Sequence, residues 1–377
     1  MSSGAPFLLI EIISDILKRL PVKFLIRFQS VCKLWKNLIK SPSFIASHLD
    51  HSGREYPSFI SRCGHTVSGI SFHSFLDRDM QLRRVQNHTL FDSIKYPRIV
   101  GSCNGLLCVQ DKTPGSFMSP LYLCNPAISE VIQVPRSRPS MDLCYLSSVG
   151  FAFSPTINDY KIVIPYVKQS DMEFGFEAYS VTTNSWKNIG MGSFKGIRHC
   201  TDGITLNGSM FWIASQRGLA IHEREYNAIL SLDLAMDELR LILLPPSSSK
   251  DIPILTVYEN RLAAFQTSLT INPRNCLIEL WVIEEGIGIS WSKILSCGPY
   301  PHIVAPLTIW RNQIVYDVFP EYSVEGDDEN DAAGSFMFDP TSNEVKVLCS
   351  GRHGTLGAVF PYVESLVPIS NIHTRSH

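Results

Sequence analysis

Four absences constrain this 377-residue chain before any motif is read. It has no excess of positive charge: 33 Lys and Arg stand against 35 Asp and Glu, for a formal net charge of -2. No global positive field exists to hold nucleic acid by counterion release, so no nucleic-acid partner is expected. No apolar run approaches the ~20 residues that a membrane-spanning helix requires, so no membrane partner is expected either. The ten cysteines include no CxxC pair, and several sit in apolar runs such as "GLLCV" and "LYLCN". They read as small hydrophobes in a reducing compartment. Catalytic signatures are missing too: there is no GxSxG, HExxH, phosphate-binding loop or GxGxxG. "HEREY" at His222 lacks a second histidine, and "GMGSFKG" (190–196) has three glycines at the wrong spacing. The acidic "EGDDEND" (325–331) lacks the alternating ligands of a calcium loop and reads as a solvated turn. No catalytic site, cofactor or metal is expected.

What is present is ordinary globular material, 45% hydrophobic and 18% charged, enough for one large core with a small appendage. "APFLLIEII" near the start lacks a basic flank and carries Glu11, unlike a signal peptide. A soluble protein of the cytoplasm, the nucleus or both is expected. Residues 12, 13, 16, 17 and 20 are apolar at helical spacing, and Pro21 breaks that run. Leu25, Phe28, Val31, Cys32, Trp35, Leu38 and Ile39 then repeat the spacing until Ser41-Pro42, and "SFIASHL" supplies a third short helix. A segment this small cannot bury so much apolar surface on itself.

Beyond about residue 55 the chain turns to β-branched and aromatic runs cut by Asn, Gly, Pro and Ser. Asparagine accompanies a strand-like run at Asn104, Asn158, Asn207, Asn260 and Asn312, at intervals of 49 to 54 residues. Each run is followed by a strand, a polar turn and another strand, as in "LYLCNPAISEVIQVP" and "SFMFDPTSNEVKVL". About four strands per fifty residues is the length of a kelch-type propeller blade. Five such units are legible. A sixth is expected from "YPSFISRC" and "GISFHSF" pairing with the C-terminal "LGAVFPYVESL", closing the ring. The double glycine of kelch repeats is absent, and the Tyr-to-Trp spacing of that pattern occurs only at Tyr179 and Trp186.

The run "EIISDILKRLPVKFLIRFQSVCKLWKNLIKSPSFIASHL" resembles an F-box, the helical module by which substrate receptors dock on the Skp-type adaptor of cullin ubiquitin ligases. The remainder resembles the plant F-box-associated domain of F-box/kelch and pollen S-locus-type receptors. That likeness is carried by "GSCNGLLCV", "GFAFSPTINDYKIV", "EAYSVTTNSWKNI" and "YVESLV". It implies a mainly β protein with a small α domain. Residues 1–50 would be a three-helix F-box, 51–100 a linker with the first strands, 101–367 a kelch-like propeller of about six blades, and 368–377 a tail. Where the family opens with Leu-Pro-Glu, this chain has Leu8, Leu9 and Ile10, so the first helix lacks a starting proline.

The resemblance implies that Ile16, Leu17, Leu20, Pro21, Leu25, Phe28, Val31, Cys32 and Trp35 meet the adaptor, and through it a cullin. Between Glu11 and Asp50 seven basic residues face three acidic ones, a local excess suited to an acidic partner. A target protein would bind the propeller, with loop candidates at 111–120, 215–227 and 325–331. Two alternatives remain: a propeller hydrolase capped by the helices, which needs carboxylates converging on the channel, and an adaptor-bound propeller that does not direct degradation. Asp233 and Asp339 read as turn formers.

Overall fold

The change of texture near residue 55 is a change of architecture. The computed structural model describes residues 9–56, 58–62, 73–76, 82–84, 94–113, 119–137, 142–146, 148–189, 196–216, 226–246, 252–271, 274–285, 289–300, 302–319, 333–350 and 355–370. Among these residues four helices come first: α1 (Ile10–Leu17), α2 (Val22–Phe28), α3 (Lys33–Lys40) and α4 (Pro42–Glu55). The apolar run from Leu25 to Ile39, expected as one helix, is therefore two. The Ser30 hydroxyl bonds the Arg27 carbonyl, Cys32 is fully extended (φ -158, ψ 164), and its Sγ accepts from the Trp35 amide to cap α3. Such side-chain bonds to nearby backbone interrupt a helix without disturbing its apolar periodicity.

Among the described residues twenty-six strands follow, in six antiparallel sheets. The first sheet receives β1 (Ser58–Arg62), β2 (His73–Leu76) and β3 (Leu82–Arg84). The second is β4 (Pro97–Cys103), β5 (Leu106–Asp111), β6 (Leu121–Asn125) and β7 (Glu130–Gln133). The third is β8 (Leu143–Tyr145), β9 (Gly150–Ser154), β10 (Asp159–Lys168), β11 (Phe174–Ser180) and β12 (Ser185–Ile189). The fourth is β13 (Ile197–Cys200), β14 (Ile204–Leu206), β15 (Ser209–Gln216), β16 (Tyr226–Asp233) and β17 (Glu238–Leu243). The fifth is β18 (Ile254–Tyr258), β19 (Arg261–Ile271), β20 (Arg274–Glu285) and β21 (Ile289–Tyr300). The sixth is β22 (Ile303–Trp310), β23 (Gln313–Phe319), β24 (Gly334–Asp339) and β25 (Glu344–Ser350). β26 (Ala358–Tyr362) returns to pair with β1, with Ile60 opposite Phe360, so the first sheet takes its innermost strand from the far end of the chain. The expected sixth blade and ring closure are both present.

The recurring asparagine has a conformational cause. Asn104, Asn158, Asn207, Asn260 and Asn312 all have φ between 49 and 66, in the turn joining the first and second strands of a blade, the first strand being split into β8 and β9 in the third sheet and into β13 and β14 in the fourth. Asparagine tolerates this left-handed conformation better than other side chains. In four of the blades the turn between the third and fourth strands is held differently. Asn125, Asp233 and Asp339 each accept backbone N–H bonds two or three residues on, and Ser180 Oγ does the same for Thr183. The turn role read for Asp233 and Asp339 is what the side chains perform.

Blades are tied edge to edge as well as by their apolar faces. Tyr179 and Trp186 lie opposite one another on β11 and β12, ring centroids 5.3 Å apart, and Trp186 Nε1 donates to the Pro135 carbonyl of the preceding blade at 2.7 Å. Trp291 Nε1 repeats the device on the Leu243 carbonyl at 2.9 Å. Between the third and fourth sheets, Phe174, Phe176, Trp212 and Leu230 form one continuous cluster, all fully buried. At the axis the innermost strands enclose a cavity of about 780 Å³ that reaches Gly53 of α4. Because neighbouring strands run antiparallel, the turns after the first and third strands share one face of the ring. The helices sit on that face, where α4 leads into β1 and β26 ends beside it.

Candidate docking site on the helical module

α1 is apolar on two sides. Ile13, Leu17 and Leu20 turn inward to join Val22, Leu25, Ile39 and Phe44, while Leu9, Ile12 and Ile16, at the same spacing one step round, face solvent. The helix begins without a side-chain cap at Leu9 (φ -59, ψ 143), with Glu11 in its first turn as the only complement to the helix dipole. Pro21 occupies the N-cap of α2, its carbonyl accepting from Phe24 and Leu25. Lys18 pairs with Asp15 at 2.6 Å. Among the described residues no ion-pair partner is found for Arg19, Lys23, Arg27, Lys33, Lys36 or Lys40.

The nine residues expected to meet an adaptor divide into three groups. Ile16, Pro21, Val31 and Cys32 are exposed, Ile16 at 52% and Val31 at 59%. Leu20, Phe28 and Trp35 are half-buried, with the Phe28 and Trp35 rings edge-on at 5.5 Å. Leu17 and Leu25 are 1% and 0% exposed and belong to the module's own core, so they support a docking surface without forming it. Residues outside those nine complete that surface: Ile12, already apolar at helical spacing, and Leu9, Phe24 and Leu34, which periodicity missed, are all between 44% and 66% exposed. In all, eight of the exposed large apolar side chains among the described residues fall between positions 9 and 34. A concentration of this kind marks an interaction surface, whereas scattered exposed leucines do not.

The module's base is polar where it meets itself. His48 is 1% exposed, with Nε2 3.0 Å from the Leu20 carbonyl and Ser52 Oγ 3.5 Å from Nδ1. Burial lowers its pKa, the bond to Leu20 opposing and the neighbouring His51 adding to the effect. The folded module thus favours neutral His48. Its contribution is complete above the ordinary value near 6.5 and is lost as pH falls below it. Amide protection in α4, measured by hydrogen exchange, is expected to drop on acidification from pH 7 to 5.5, and to drop less in His48→Gln.

Elsewhere the described residues offer little reactive chemistry. The buried thiols of Cys108, Cys124 and Cys200 are pushed upward by burial, the last two to about 12, which suits packing and not nucleophilic attack. The described lining of the axial cavity carries one carboxylate, Asp202, bound by Arg98 at 2.8 and 2.9 Å. No group of three potential metal ligands occurs among the described residues, and no described helix is long and apolar enough to cross a membrane. Most of "HEREY", the "EGDDEND" loop and most of "GMGSFKG" lie outside the described residues, as do the central parts of the loop candidates at 111–120 and 215–227.

A helical module with an uncovered apolar flank, seated on a closed six-bladed propeller, makes a two-part protein. The chain belongs to the family of the F-box associated beta propeller domain, whose model matches residues 59–369, and an F-box domain model matches residues 8–47. An F-box/kelch-repeat protein of Arabidopsis thaliana is 26% identical over 81% of this chain and 84% of its own length. A second Arabidopsis thaliana chain, named as an F-box protein, is 26% identical over 95% of this chain and 76% of its own. Among solved structures, the β-propeller domain of the Trilobed protease from Pyrococcus furiosus aligns with a TM-score of 0.41 at 10% identity, over 78% of this chain and 79% of that one.

Proposed function

We propose that this chain is the substrate-recognition subunit of a cullin ubiquitin ligase of the Skp-cullin-F-box type, working in the cytoplasm, the nucleus or both. The observation that carries the reading is the exposed apolar set on α1 to α3, within the segment that matches the F-box. An adaptor groove laid over Ile12, Ile16, Phe24, Val31 and Leu34 would remove that surface from water. Each well-buried large side chain contributes ~1.5 to 3 kcal/mol before ordering costs, so a handful suffices for stable association. The basic residues around the flank favour an acidic partner and speed encounter with it.

In this reading the chain does no bond chemistry itself. It holds a target protein on the propeller and brings the target's lysines near a charged conjugating enzyme, so that transfer proceeds at a raised effective concentration. The target is assigned to the face opposite the helices, since the helical face is occupied around Ala127, Ile128 and Leu366. Co-purification from plant cells with the proteasome blocked tests the reading. A Skp-type adaptor and a cullin are expected in stoichiometric amounts, together with ubiquitin-modified proteins that disappear when cullin activity is inhibited. Recovery of the chain free of both partners would overturn it.

A further inference from the structure

The helical module is not complete within its own sequence. Leu366, from the segment following the last strand, is 6% exposed among Leu17, Val22, Leu25, Ile39 and Phe44. On either side of it the backbone is held by the second blade. Asn125 Nδ2 donates to the Ser365 and Val367 carbonyls at 3.0 and 2.8 Å, and the Glu130 carboxylate accepts from the Ile369 amide at 2.7 Å. Ile369, expected in a tail, is 0% exposed within the propeller core beside Leu123 and Tyr179. Gly105 completes the seat, because a Cβ there would fall 2.3 Å from the Ser365 Cβ and 2.5 Å from the Val363 carbonyl. One segment of eight residues is thus anchored in both parts of the molecule, by Leu366 in the module and by hydrogen bonds together with Ile369 in the propeller.

We infer that residues 363–370 are a strap that sets the orientation of the helical module on the propeller. Asn125, Glu130 and Leu366 act as positioning residues for whatever the two parts hold. In the apolar core of the module the propeller's other contribution is the turn at Ala127 and Ile128, whose side chains are only partly buried there, and α4 runs on into β1 with Gly53 at the axial cavity. A chain connection and a partly buried turn leave a hinge, while these together with a strap that threads both cores make a fixed joint. If the chain is the receptor described above, the strap fixes the distance from adaptor to target, and this consequence rests on that reading. The joint itself does not.

The test uses the full chain without any partner. Hydrogen exchange and a pair of fluorescent labels, one on α3 at Lys36 and one on the outer strand β17 at Arg240, are read in Leu366→Ala and in Asn125→Asp. The second variant keeps the turn acceptor but sets a carboxylate against two carbonyls. Exchange in α1, α2 and α4 is expected to accelerate by at least roughly tenfold in both variants, and the label-to-label distance distribution to broaden, with β5, β10 and β15 unchanged. Wild-type exchange and distance in both variants would overturn the inference. So would equal acceleration in helices and strands, since the segment would then be a general part of the fold and no joint. Adaptor capture is not among the readouts, so failure of the receptor reading leaves this result standing.

Discussion

Ile16→Asp with Val31→Asp is expected to reduce affinity for a purified Skp-type adaptor by at least about 100-fold while leaving the thermal midpoint of the chain within a degree or two. Both side chains are more than half exposed, so the free protein loses almost no packing. In a complex each carboxylate would be carried into an apolar groove, where an unpaired charge costs several kcal/mol. The matched comparison is Leu17→Ala with Leu25→Ala. Those residues fill the module's core, and their truncation should cost ~2 to 5 kcal/mol apiece in local stability. That pair would weaken docking only by loosening the helices. The two double variants therefore separate the surface that meets the partner from the core that supports it, and calorimetric titration beside a thermal melt reads both.

The second large effect concerns ring closure. Asp317 on β23 is 1% exposed, and its carboxylate accepts from Ser335 Oγ, from the Leu356 amide and, at 3.0 Å, from the Gly357 amide. Leu356 and Gly357 lead directly into β26, so this one side chain fastens the sixth blade to the strand that completes the first. Asp317→Ala leaves the Ser335 hydroxyl and the Gly357 amide without this acceptor, while the Leu356 amide keeps Ser335 Oγ at 2.8 Å, and it is expected to lower unfolding free energy by about 2 to 3 kcal/mol, measured as a fall in denaturant midpoint. Burial raises the carboxyl pKa to about 6 against the hydrogen bonds that oppose it. A folded value above the unfolded one near 4 means a contribution fully present below pH ~4 and lost as pH rises through about 6. The wild-type chain should thus lose up to about 3 kcal/mol across that window that Asp317→Asn does not lose. Asp237 and Asp339, whose pKa values are lowered in the folded chain, titrate the other way in both proteins and cancel in the comparison.

Much of the architecture was legible because its causes are local. A left-handed turn wants asparagine, so five asparagines at blade spacing reported five strand-to-strand turns. Pro21 marked a true helix boundary, and the strand texture of both chain ends foretold their pairing. The break at Ser30 and Cys32 was hidden, since a side-chain cap interrupts a helix without changing the apolar period. The docking surface was half-legible for a related reason. Periodicity says that Ile12, Ile13, Ile16 and Leu17 are apolar on a helix, but only packing says that Ile13 and Leu17 turn inward and Ile12 and Ile16 outward. The strap was beyond reach altogether. Asn125 meets Val367 across 242 residues of sequence, and nothing in either local pattern refers to the other.

The uncovered flank of the first three helices is the feature on which the functional account turns. Hydrogen-exchange footprinting of the full chain, with and without a purified Skp-type adaptor, measures directly what covers it. Protection confined to residues 9–40, strongest around Ile12, Ile16, Val31 and Leu34, with the propeller strands unchanged, is the result expected. An adaptor that leaves those residues exchanging as in the free chain, or that protects the propeller instead, would contradict it.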